Sequence, residues 1–100
     1  MLNPKAESLI RRAAKEVQPI LDELYANGQP STDSPLNQCG LRDGFQIISD
    51  YLAHGEIGLA LGHLLYMVSE LALDLPAQVR ADIHQAAKLL GVLHPWLDDA

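Results

Sequence analysis

Cysteine is almost missing: Cys39 is the only one in 100 residues. No disulfide can form within the chain, which fits a reducing cytoplasm. Aromatics are scarce too, with one Trp, one Phe and three Tyr, and Val, Ile and Thr are few beside Ala and Leu. That balance disfavours sheets and favours helices. No apolar run precedes the charges of MLNPKAESLIRRAAKEV, so no secretion signal is expected. The longest apolar stretch is interrupted by His63, Ser69 and Glu70, which makes it too polar for a membrane span. Basic residues are missing from the middle of the chain. Residues 17–79 hold eight acids (Asp22, Glu23, Asp33, Asp43, Asp50, Glu56, Glu70 and Asp74) against one base, Arg42. The other residues carry five acids and six bases, so the net charge of −6 is concentrated centrally. Such a segment repels nucleic acid and attracts a basic partner. Solubility alone is the plainer reading of the same charge.

Catalytic and metal-binding patterns are also missing. The four histidines form no HExxH, and no two lie three or four residues apart. Glu56, His63 and Glu70 recur at intervals of seven, which on a helix puts neighbours about 10.5 Å apart along the axis. Ligands of one metal ion must come within roughly 2.0–2.2 Å of it, so this seam cannot chelate. Cys39 has no adjacent His or Lys to activate it. There is no phosphate loop and no dinucleotide fingerprint. No metal, no cofactor and no enzymatic activity are expected. A DNA-recognition helix would present Arg, Lys, Asn or Gln to bases. The one basic cluster, Arg11, Arg12 and Lys15, is diluted by Glu7 and Glu16.

With 48% apolar residues, the chain has enough to build one modest core. The pattern predicts a single all-α domain over residues 1–100, a compact bundle of four main helices. Helix one is expected over 3–27, capped by Asn3 with Pro4 in its first turn. Ile10, Ala14, Val17, Leu21 and Leu24 share its core face, and Pro19 on the far side predicts a kink or two short helices. Residues 28–40, rich in Gly and Pro, form a long loop. Helix two is expected over 41–54, with Leu41, Phe45, Ile48 and Leu52 inward and Asp43, Gln46, Asp50 and His54 outward. Gly55 should take a left-handed conformation and turn the chain into helix three, over 56–73, making an antiparallel hairpin.

Helix three is apolar on most of its circumference. Ile57, Leu61, Leu64, Val68 and Leu71 line one face; Leu59, Tyr66 and Leu73 line another. Gly58, Gly62 and Ser69 form a strip of small residues between them, which predicts close approach of a neighbour. This helix is expected to be central and packed on at least two sides, with Glu56, His63 and Glu70 as its wet edge. Helix four is expected over 76–91, with Asp74 as a cap, a core stripe of Val79, Ile83, Ala86 and Leu90, and a glycine-terminated end at Gly91. Arg80, Gln85 and Lys88 should face out, and in the tail, 92–100, Trp96 should fold back on the bundle.

What remains is binding by surface. The acidic edge of Asp43, Asp50, Glu56, Glu70 and Asp74 would steer a basic protein. Gln46, His54 and His63 lie beside it, and Tyr66 and Met67 are candidate anchors at a desolvated centre. Against this, Leu59, Tyr66 and Leu73 would be covered if they packed under the first helix or the tail, and self-association into a homodimer through the same stripe is a further option. The stretch DYLAHGEIGLALGHLLYMVSE, followed by LPAQVRADIHQAAKLLGV, resembles small bacterial immunity proteins of the MafI type, which pair with polymorphic toxins of Maf and contact-dependent inhibition systems. The resembling pattern is an aromatic-containing helix end, a Gly-Glu turn, LALGHLLYMVSE, and a last helix ending in Leu-Gly. It covers about two fifths of the chain, residues 50–92. The resemblance implies an all-helical cytoplasmic antidote that binds the C-terminal domain of a cognate toxin. By family analogy that toxin is a nuclease such as an EndoU-like RNase. A helical adaptor or self-associating structural domain is the alternative.

Overall fold

The computed structural model describes residues 3–26, 40–70 and 73–98. They form an all-α bundle of four main helices and one short one: α1 (Pro4–Ala26), α2 (Gly44–Ala53), α3 (Ile57–Glu70), α4 (Ala77–Leu90) and α5 (Pro95–Asp98). The predicted 28–40 loop, with Cys39, falls outside the described residues except for Gly40.

The start of α1 follows its sequence. The Ala6 N–H donates to Asn3 Oδ1 at 3.1 Å, so Asn3 caps the helix and Pro4 occupies its first position. The helix then continues through Pro19 as one element, and the expected alternative of two short helices is not realised. Pro19 is exposed, so its ring lies away from the packed face. Ala6, Ile10, Ala13, Ala14, Val17 and Leu21 are completely buried at helical spacing. Leu24, expected to extend this stripe, is instead 38% exposed.

α2 begins later than predicted. Leu41 is fully buried but lies before the helix, in a turn that follows Gly40 at φ 85°. At the other end the Gly55 N–H donates to the Leu52 carbonyl at 3.1 Å and the Glu56 N–H to the Tyr51 carbonyl at 2.9 Å. With Gly55 at φ 75°, this is a Schellman ending, and it reverses the chain into α3 as expected. Gly91, at φ 68°, ends α4 the same way, with Val92 N–H donating to the Ala87 carbonyl at 3.0 Å.

Two expectations about the α3–α4 connection are corrected. Leu73 does not belong to the helix: it is buried in the link that follows, as is Leu75 two residues on. Asp74 is exposed and does not cap α4. Pro76 stands at that position, and no side chain caps the helix.

α1 is the spine of the bundle. It packs along α4 and also against α2 and α3, while α2 and α3 pack on each other as a hairpin. The tail returns to α4, where the Trp96 ring lies 5.5 Å from that of His84 and 5.3 Å from the Arg80 guanidinium. The radius of gyration, 13.1 Å, is that of a close-packed chain of this length. No helix of the described residues is long and apolar enough to cross a membrane.

Candidate functional site

The α2–α3 hairpin carries most of the residues singled out by charge. Asp43, Gln46, Asp50 and His54 are all exposed on α2 or at its ends, as their spacing requires, and so are Glu56, Glu70 and Asp74. Between Arg42 and Arg80 the sequence contains no Lys or Arg. Arg42 itself reaches back to α1, with its guanidinium 4.3 Å from the centre of the Tyr25 ring. The outward row on α2 is linked internally: Gln46 Nε2 donates to Asp50 Oδ1 at 3.0 Å, and His54 Nδ1 to the Asp50 carbonyl at 2.7 Å.

Two of the predicted residues have structural work instead. His63 is half-buried, and its Nε2 donates to the Gly40 carbonyl at 2.9 Å, while its ring lies 5.5 Å from that of Tyr66. A side chain at Gly40 would meet the His63 ring at 2.8 Å, so the peg requires glycine there on steric grounds as well as for its positive φ. Met67, expected as a partner anchor, is fully buried. Its thioether fills the space left by Gly44, where any Cβ would collide with it. It is a core residue with nothing to offer a partner in this conformation.

α3 packs against α2, α1 and α4, but its second apolar face is not fully covered. Its buried residues, Ile57, Ala60, Leu61, Leu64, Leu65, Met67 and Val68, occupy one broad arc. Gly58, Leu59, Gly62, His63, Tyr66, Ser69 and Glu70 fill the remaining arc of roughly 140°, taking 3.6 residues per turn. Leu59 is 54% exposed, and Tyr66 is half-buried. Leu59 is thus left largely open, whereas Tyr66 packs partly against the core. A Cβ added at Gly58 or Gly62 would meet nothing within 4 Å. Among the described residues the small-residue strip therefore admits no neighbouring helix, although each glycine costs the helix about 1 kcal/mol relative to alanine.

Asp82 escaped the sequence reading. It is 3% exposed on the core stripe of α4 and accepts from Arg12 Nε at 2.8 Å and Nη2 at 2.7 Å, with Gln78 Nε2 also at 2.8 Å. This bidentate bond holds the Asp82 carboxyl below the ordinary aspartate range, against the opposing push of burial. An acid between Val79 and Ile83 was the available signal, because a buried carboxylate requires a cation or donors. Its partner, Arg12, belongs to the dilute basic cluster of α1.

Among the described residues no three His, Cys, Asp or Glu side chains gather to hold a metal ion. A groove of about 250 Å³ between α1 and α2 is lined by Lys15, Gln18, Pro19, Asp22 and Phe45. It is smaller than the ~300–1,000 Å³ of ordinary small-molecule sites. The arrangement with the greatest extent is thus the acidic hairpin with its half-apolar outer arc. No family model, curated protein or solved structure matches the chain.

Proposed function

We propose that this chain is a non-catalytic antidote: a cytoplasmic immunity protein that binds the C-terminal domain of a cognate bacterial toxin and blocks its substrate surface. The observation that carries the reading is the run of exposed acids on the α2–α3 hairpin, Asp43, Asp50, Glu56 and Glu70, continued by Asp74, in a stretch without Lys or Arg. A nuclease cleft is basic because it holds phosphates. An acidic protein surface can enter such a cleft in place of nucleic acid, and long-range attraction raises its rate of arrival. The resemblance of residues 50–92 to MafI-type proteins points the same way, and an RNase of the EndoU kind is the partner it implies. A standard interface takes about 800 Å² from each side. This chain exposes 5974 Å² in all, so the hairpin and its surroundings suffice.

The test is co-expression with the toxin domain encoded beside it. A one-to-one complex that restores growth and suppresses nuclease activity in vitro is expected. A toxin that stays fully active, with the two proteins eluting apart, refutes the antidote role.

A further inference from the structure

We infer that the open arc of α3 is a cradle for one helix of the partner, a helix with a stripe of small and apolar side chains flanked by Lys or Arg. This deepens the docking role proposed above and rests on it for the existence of a protein partner. The described residues leave one side of α3 uncovered. Gly58 and Gly62 lie one turn apart on the exposed side of α3, and the space above both is empty. They weaken the helix, and among the described residues no neighbour uses the room they leave. Leu59, beside them, is 54% exposed, and half-buried Tyr66 continues the strip by one further turn. The result is a shallow track along the helix axis, low over the glycines and bordered by apolar side chains. A rod-shaped occupant can come close to the α3 backbone there, its ridge set in the groove.

Charge selects the occupant. Glu56 precedes the first turn of α3 and Glu70 closes its last, about 21 Å apart at 1.5 Å per residue. Asp50 and Asp43 stand on the adjoining helix, and no Lys or Arg falls between residues 42 and 80. A helix with basic flanks meets opposite charge at both ends and an apolar floor between them. A second copy of this chain would set Glu56 and Glu70 against their own kind, and nucleic acid would be repelled. The favoured occupant is therefore a basic amphipathic helix, and self-association becomes an outcome of the test.

The probe is a synthetic helical peptide of about 18 residues, long enough to span the track, with an Ala/Leu stripe and Lys on both flanks. It is titrated into the isotope-labelled full chain. A peptide of the same composition, scrambled to destroy the stripe, is the control. Amide shifts centred on Gly58, Leu59, Gly62 and Tyr66 are expected, with binding at least about tenfold weaker for the scrambled peptide. Gly62→Gln adds bulk to open space, so it should keep or raise Tm while weakening the striped peptide about tenfold. Equal binding of both peptides, shifts confined to other helices, no binding of the striped peptide, or full affinity in Gly62→Gln each overturn the cradle. A concentration-dependent dimer that buries the same amides does so too. The two proposals fail separately. Peptide capture without toxin neutralisation removes the antidote role and leaves the cradle. Neutralisation that is indifferent to Gly62→Gln does the reverse.

Discussion

Asp82 shows how much one side chain can organise. Its carboxylate is buried among α4 core residues and held by both arms of the Arg12 fork, so its charged form belongs to the folded state. A carboxyl whose folded pKa lies below its unfolded value, near 3.9, adds stability that is complete above that value. The contribution is lost as pH falls through the lower, folded one. Unfolding midpoints followed from pH 5 to pH 2 should therefore drop more steeply for the native chain than for Asp82→Asn. At neutral pH, Asp82→Ala should lower Tm by ~4–8 °C, the shift that ~1 kcal/mol produces in a domain of this size. Identical acid profiles would mean the pair is not differentially stabilised. Gly44 supplies a second test. Gly44→Ala drives a methyl into the Met67 thioether, which is fully enclosed, so a destabilisation of about 1–2 kcal/mol is expected in urea unfolding. Met67→Val should relieve it, visible as coupling in a double-mutant cycle. Both residues mark a limit of reading by composition. The apolar surplus of α3 offers Met67 as an anchor, but its position one turn from Leu64 and beside Val68 puts it on the core side. Gly40 and Gly44 are the glycines that are tightly packed, whereas Gly58 and Gly62 meet open space.

Among the elements, the helices were legible wherever apolar residues repeat at three and four. Ile10, Ala14, Val17 and Leu21 defined the face of α1, and Val79, Ile83 and Ala86 that of α4. Gly55 and Gly91 fixed two ends, because a left-handed residue closes a helix regardless of tertiary context. The start of α2 was not legible, because it is set by a different helix. Asp43, the natural local candidate, makes no side-chain capping bond. Gln18 of α1 does the work instead: its Oε1 accepts from the Phe45 N–H at 2.8 Å and its Nε2 donates to the Arg42 carbonyl at 3.1 Å. A cap donated across 27 positions leaves no trace in local spacing. Gln18→Ala should cost about 1 kcal/mol, as loss of a helix cap does. Hydrogen exchange should quicken first at Phe45, Gln46 and Ile47, the opening turn of α2. Uniform loss of protection across all helices would assign the effect to α1 itself.

For the molecule as a whole, the segregation of charge read from sequence survives folding. The acids of residues 43–74 are exposed, while the bases of α1 and α4 are partly committed elsewhere, Arg11 to Glu7 and Arg12 to Asp82. Reversing Asp50 and Glu56 to Lys should leave Tm within a degree or two, since both side chains are exposed and no core contact is lost. The same change should slow association with a basic partner and flatten its dependence on salt, read by stopped flow across an ionic-strength series. An unaltered rate would take the hairpin out of the encounter. The open outer side of α3 was not legible at this scale. A helix greasy on most of its circumference reads as central, and only the packed structure shows Leu59 left 54% exposed.

The spine has a consequence for biosynthesis. Arg12 and Asp82 are separated by 70 positions, and the helix that α1 packs along most extensively is α4. α1 is therefore synthesised well before the helix it packs along most, with part of its apolar face uncovered in the interval. A nascent chain stalled before α4 would present that sticky flank to chaperones and proteases. Synthesis speed and truncation before α4 should thus govern the yield of the folded bundle.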